Sequence, residues 1–126
     1  MATIKAYTTI EQSRKLAEIL LLESADMSWV SNGLGKPFAR TIPIKGDPEE
    51  LCGCWSLASL LEQFPYELCD DDGNSVYLEI NKEDDLYQLV YTDPYGDFES
   101  IETDRYEHFV DACYELILKL HELNLL

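Results

Sequence analysis

Positive charge is scarce in this sequence. Nine Lys and Arg stand against 25 Asp and Glu in 126 residues, a net charge of −16. A chain this acidic repels nucleic-acid phosphates and anionic membranes, so direct nucleic-acid binding and membrane attachment are not expected. Long apolar runs are also missing. No stretch approaches the roughly 20 apolar residues of a spanning helix. The opening residues MATIKAYTTIEQSRK contain no apolar leader core, and a cytoplasmic location is expected. In that compartment the four cysteines, Cys52, Cys54, Cys69 and Cys113, should be reduced and mostly buried. No internal repeat, low-complexity segment or linker interrupts the chain.

What is present suits a folded protein. Hydrophobic residues make up 46% and charged residues 27%, enough for one α+β domain spanning 1–126 with a core of its own. A first helix is expected from Thr8 or Thr9, since Thr8 with Glu11 and Thr9 with Gln12 have capping-box spacing. Its apolar stripe (Ile10, Leu16, Ala17, Ile19, Leu20) predicts an end near Glu23. Met27–Ser31 and Phe38–Lys45 read as short strands around an Asn-Gly turn, with Pro43 confining the second to an edge. The stretch Asp47–Phe64 predicts a long core helix. Asp47 suits an N-cap, Pro48 the first helical position and Glu50 the reciprocal cap, and Leu51, Trp55, Ala58 and Leu61 recur at helical spacing.

The second half predicts an antiparallel meander, with strands at Tyr66–Cys69, Ser75–Ile80 and Leu86–Thr92. The links would be Asp70–Asn74 and Asn81–Asp85. Tyr106, Phe109, Val110, Cys113, Leu116, Ile117 and Leu120 mark a closing amphipathic helix. The expected fold is an antiparallel meander of three or more strands packed against two or three amphipathic helices.

Motifs that suggest chemistry fall short of it. Cys52-Gly53-Cys54-Trp55-Ser56 is one residue short of the run around a papain-like nucleophile. The only two histidines, His108 and His121, belong to the last helix rather than a strand. The cysteines lack the two close pairs of a zinc site. Asp70-Asp71-Asp72-Gly73-Asn74 misses the glycine and the final glutamate of a calcium loop, and Gly33-Leu34-Gly35-Lys36 lacks phosphate-loop spacing. No catalytic residue, metal ligand or cofactor is therefore assigned, and no enzyme is expected.

The acidity is unevenly spread. Residues 1–65 carry eight acids and six bases, whereas residues 66–126 carry 17 acids and three bases. Glu107, Asp111 and Glu115 succeed one another at helical i,i+4 positions, where like charges are mildly unfavourable. With Tyr87, Tyr91 and Asp97 they form the candidate contact surface for a protein partner with a basic surface, tyrosine offering apolar area with a polar tip. Three other expectations compete with this one, the plainest being a solvated acidic face that only keeps the chain soluble. A small enzyme or ligand-binding domain would use carboxylates in the 93–104 loop. A homo-oligomer would use the apolar face of Leu86–Thr92.

Four runs together resemble one family. They are Tyr7–Ser13, Ser24–Met27, Trp55–Leu57 with Leu60, Leu61 and Pro65, and Asp111–Ile117. The chain is similar throughout to short proteins of gut Bacteroides and of the phages and mobile elements they carry. That resemblance implies a cytoplasmic, element-encoded protein, and brings no activity, cofactor or catalytic residue.

Overall fold

The computed structural model describes residues 5–31, 33, 35–69, 73–92 and 100–126. The expected α+β fold with antiparallel sheets is what it shows. The chain forms two compact units, Met1–Leu60 and Leu61–Leu126.

In the first unit, helix α1 (Ile10–Leu16) starts where its cap places it. The Thr9 hydroxyl accepts from the Gln12 N–H at 3.1 Å, and the Gln12 side chain accepts from the Thr9 N–H at 3.0 Å. The helix stops well short of Glu23. After Leu16 the backbone tightens into three-residue bonds, Glu18 N–H to Lys15 and Ile19 N–H to Leu16. A 3-10 turn at Leu22–Ser24 follows, its Ser24 hydroxyl donating to the Leu21 carbonyl at 2.6 Å. Leu20 is buried as the stripe predicts, while Leu21 is left 76% exposed.

Three short strands complete this unit: β1 (Met27–Val30), β2 (Phe38–Arg40) and β3 (Glu50–Cys54), in the order β2-β1-β3. Pro43 lies beyond the edge strand β2, which is shorter than the predicted Phe38–Lys45. The main correction concerns Asp47–Phe64, which is not one helix. Asp47 accepts from the Glu49 N–H on its side chain (2.9 Å) and from the Glu50 N–H on its carbonyl (3.0 Å). The Asp-Pro pair thus closes a turn into β3 instead of capping a helix. β3 pairs antiparallel with β1, Met27 opposite Cys54. Gly53 suits that close packing, because an added Cβ would lie 3.1 Å from the Ala25 Cβ. Helix α2 (Leu57–Leu61) is only the tail of the predicted element, with Ala58 exposed rather than in the core. Leu16, Leu20, Met27, Val30, Cys54, Trp55 and Leu60 are buried around α1 and β3.

The second unit is the predicted meander: β4 (Glu67–Cys69), β5 (Ser75–Glu83), β6 (Leu86–Thr92) and β7 (Ile101–Glu102), in sequential order. β5 runs three residues past the predicted Ile80, so Asn81–Asp85 is not a five-residue link. Asp84 and Asp85, at φ 52° and 61°, make a two-residue turn that closes the Glu83–Leu86 pair. Both left-handed values match the mirror-image turns that follow strand twist, and aspartate tolerates that region better than most residues. Asn-Gly is the better sequence for such a turn. Replacing Asp84 by Asn together with Asp85 by Gly should therefore raise stability by about 0.5–1 kcal/mol, seen as a higher melting temperature. A lower one would contradict the turn assignment.

Helix α3 (Phe109–Glu122) packs on β6, burying Val110, Cys113, Leu116, Ile117 and Leu120 as its periodicity predicts. Tyr106 precedes the helix rather than lying on it, and His108 occupies the N-cap position.

Candidate functional site

The predicted contact surface does not stay together. Its centre, Glu115, is turned to the loop between β7 and α3. One carboxylate oxygen accepts from the Asp104 N–H at 3.2 Å, and the other lies 3.5 Å from the Lys119 ammonium. The Tyr106 hydroxyl also bonds Glu115, chiefly for which reason its pKa is pushed up to about 12. Only 18% of the Glu115 side chain is exposed. Lys119 in turn donates to the Glu102 carbonyl at 2.8 Å. Glu115 therefore ties the loop to the helix. Asp111 is half-buried and engaged within the fold, and Glu107 is exposed just before the helix.

The tyrosines separate as well. Tyr91 is wholly buried and its hydroxyl donates to the Pro65 carbonyl at 2.5 Å, so it is an interior residue and no part of a surface. Tyr87 is half-buried, its ring 5.0 Å from that of Phe109 and 5.3 Å from the Lys82 ammonium. Its backbone pairs with Tyr106 in both directions (2.6 and 2.9 Å). Asp97 lies outside the described residues, as do Asp70–Asp72 of the calcium-like cluster and residues 93–99 of the carboxylate loop.

Other acids face outward outside that predicted set. Glu79, Glu83, Asp84 and Asp85 are exposed along the far half of β5 and its turn. Arg105 stands 3.6 Å from Glu83, both side chains mostly in water. Beside them an open depression of about 450 Å³ is lined by Asn81, Glu83, Leu86, Gln88 and Arg105. The signal that could have found this region is Asp84-Asp85 between two alternating runs, which marks a hairpin tip and a longer strand.

Groups with reactive names are held by the fold. Burial raises the Cys52 thiol and pushes Cys54 to about 11 and Cys113 to about 12. Raised values keep these thiols protonated, the opposite of an activated nucleophile. Cys52 and Cys54 also sit on a strand and gain nothing from a helix dipole. Asp26 takes the Ser56 N–H (2.9 Å) and the Ser56 hydroxyl (2.5 Å) on its two oxygens. Partial burial pushes Asp26 upward, but these bonds and one from Ser59 outweigh it, so its pKa is lowered. The Ser56 hydroxyl in turn accepts from the Ser59 N–H at 3.2 Å, which fixes the start of α2. Among the described residues no three His, Cys, Asp or Glu side chains group to hold a metal ion, and no helix is long and apolar enough to cross a membrane.

Comparison with protein-family models, with curated proteins and with solved structures finds no match for this chain.

One alignment of charge with structure stands out. The first unit, residues 1–60, has seven acids and six bases, a net of −1, and the second, residues 61–126, has 18 acids and three bases, a net of −15. The boundary between neutral and acidic sequence coincides with the boundary between the two units.

Proposed function

We propose that the protein is a non-enzymatic interaction module of mobile-element origin whose acidic unit, residues 61–126, binds a cytoplasmic host protein through a basic surface. The observation that supports it is the confinement of a −15 charge to one compact unit. A charge pressure for solubility alone has no reason to stop at a structural boundary, whereas a binding unit concentrates the field that steers a partner of opposite sign. The host and mobile-element assignment rests on the sequence resemblance. Within the surface the contact residues of the stripe narrow to Glu107 and extend to the β5–β6 hairpin, since Glu115 and Tyr91 are used by the fold.

Affinity capture from host lysate tests the reading. Captured proteins should be basic and should elute between about 0.1 M and about 1 M salt, where the screening length falls from about 10 Å to about 3 Å. The double variant Glu107→Lys, Glu79→Lys should release them at lower salt. Capture of no basic protein, or retention indifferent to salt, would sink the proposal.

A further inference from the structure

Among the described residues the outer edge of β5 is unpaired beyond its first residues. β4 pairs with β5 from Ser75 to Tyr77, and the next bond across that seam runs from the Leu78 N–H to the Tyr66 carbonyl, 3.0 Å. Five more residues, Glu79–Glu83, continue the strand. All five are exposed, and among the described residues no strand pairs with their outer side. Backbone parity says which groups face outward. Leu78 points to Tyr66, so Ile80 and Lys82 point the same way, while Glu79, Asn81 and Glu83 point to β6. The N–H and C=O groups of Ile80 and Lys82 therefore form a ready template for another strand.

We propose that this edge receives an extended, basic segment of the partner protein as an added antiparallel strand. The proposal rests on the interaction-module reading and gives it a mode of contact. Side-chain alternation sets the chemistry of the occupant. Glu79, Asn81 and Glu83 share one face, with Ile80 and Lys82 on the other. An antiparallel segment meets Glu83, Lys82, Asn81, Ile80 and Glu79 in that order. Lys or Arg at its first and fifth positions then stands opposite both glutamates, and an acid at its second position opposite Lys82. An apolar residue at its fourth position covers Ile80, which is 49% exposed. The Arg105–Glu83 pair is solvent-exposed, and such a pair is weak enough to yield to an incoming cation.

Charge also decides against a second copy of this chain. Symmetric pairing of the open segment about Asn81 would set Glu79 opposite Glu83 of the other copy, twice, and would bring two −15 units together.

The test is an NMR titration of the ¹⁵N-labelled full chain with a synthetic peptide. The peptide carries Lys, Glu, Thr, Val and Lys in succession, flanked by serines. Saturable shifts are expected at the amides of Ile80 and Lys82. Methylating the peptide backbone nitrogens at the Glu and Val positions, whose N–H groups would face β5, should weaken binding about tenfold or more. Methylation at Thr, whose N–H faces away, should leave binding intact. Glu79→Lys should also weaken it, with the remaining spectrum unchanged as evidence of an intact fold. Equal binding of all three peptides, no binding, or shifts confined to other elements would each overturn the open-edge proposal. Those results leave salt-eluted capture of basic proteins untouched, so a failure of the edge is distinguishable from a failure of the module.

Discussion

Trp55→Ala is expected to destabilise the protein by about 3–5 kcal/mol, a large part of the roughly 5–15 kcal/mol that holds a domain folded. The side chain is wholly buried, and backbone and indole together tie this residue to two other segments. Its indole N–H donates to the Ser24 hydroxyl at 2.9 Å, which fixes the turn that follows α1. Its backbone N–H donates to the Thr8 hydroxyl at 3.2 Å, and its carbonyl accepts from the Thr8 N–H at 3.0 Å. Thr8 is itself buried and shares a 2.7 Å hydroxyl contact with Ser13 of α1. Truncation would leave a cavity between elements that cannot close without moving this polar cluster. Trp55→Phe keeps most of the apolar area and loses the indole bond, so a smaller cost of about 1–2 kcal/mol is expected. Urea unfolding should show the Ala variant with a lower midpoint at an unchanged slope. An Ala variant within about 1 kcal/mol of wild type would mean that the ring does not organise the first unit.

The same residue shows where a single sequence stops being legible. Signals closed within a few residues are readable: the Thr9–Gln12 box, the alternation of Leu86–Thr92 and the periodicity of α3. Asp47-Pro48 is ambiguous because aspartate accepts from an N–H two or three residues on in a turn as readily as at a helix cap. What decides there is distant. β3 exists because it pairs with β1 some 25 residues earlier, and Cys-Gly-Cys offers little helix propensity to resist that pairing. The acidic stripe fails for a related reason. Helical spacing places Glu107, Asp111 and Glu115 in a row, but it says nothing of Asp104 and Tyr106, which arrive from the preceding loop to occupy Glu115. Charge segregation is legible from residue counts alone. Its coincidence with a unit boundary depends on which segments pack together, and residue counts carry no trace of that.

Tyr91→Ala should cost about 3–5 kcal/mol, and this large effect separates an interior tyrosine from a contact tyrosine. Leu89, Val90 and Tyr91 are all buried in succession, so both faces of β6 are covered there. Alternation alone suggests one open aromatic face, and with it a surface for oligomerisation. Tyr91→Phe retains the ring and removes only the donor to the Pro65 carbonyl, for an expected loss of about 1 kcal/mol at neutral pH. The loss should depend on pH in a direction set by burial, which pushes the Tyr91 phenol up from 10.0 to about 12. The native state then favours the neutral phenol. That contribution is fully present below about pH 10, and it is lost as the pH rises toward about 12. Phenylalanine cannot ionise, so the deficit of Tyr91→Phe relative to wild type should shrink across this window. Tyr106, similarly raised, is present in both proteins and drops out of the comparison. A deficit that stays constant or grows with alkali would mean that Tyr91 reaches water. Capture of basic proteins by folded Tyr91→Phe should match wild type, because nothing of this side chain is available to a partner.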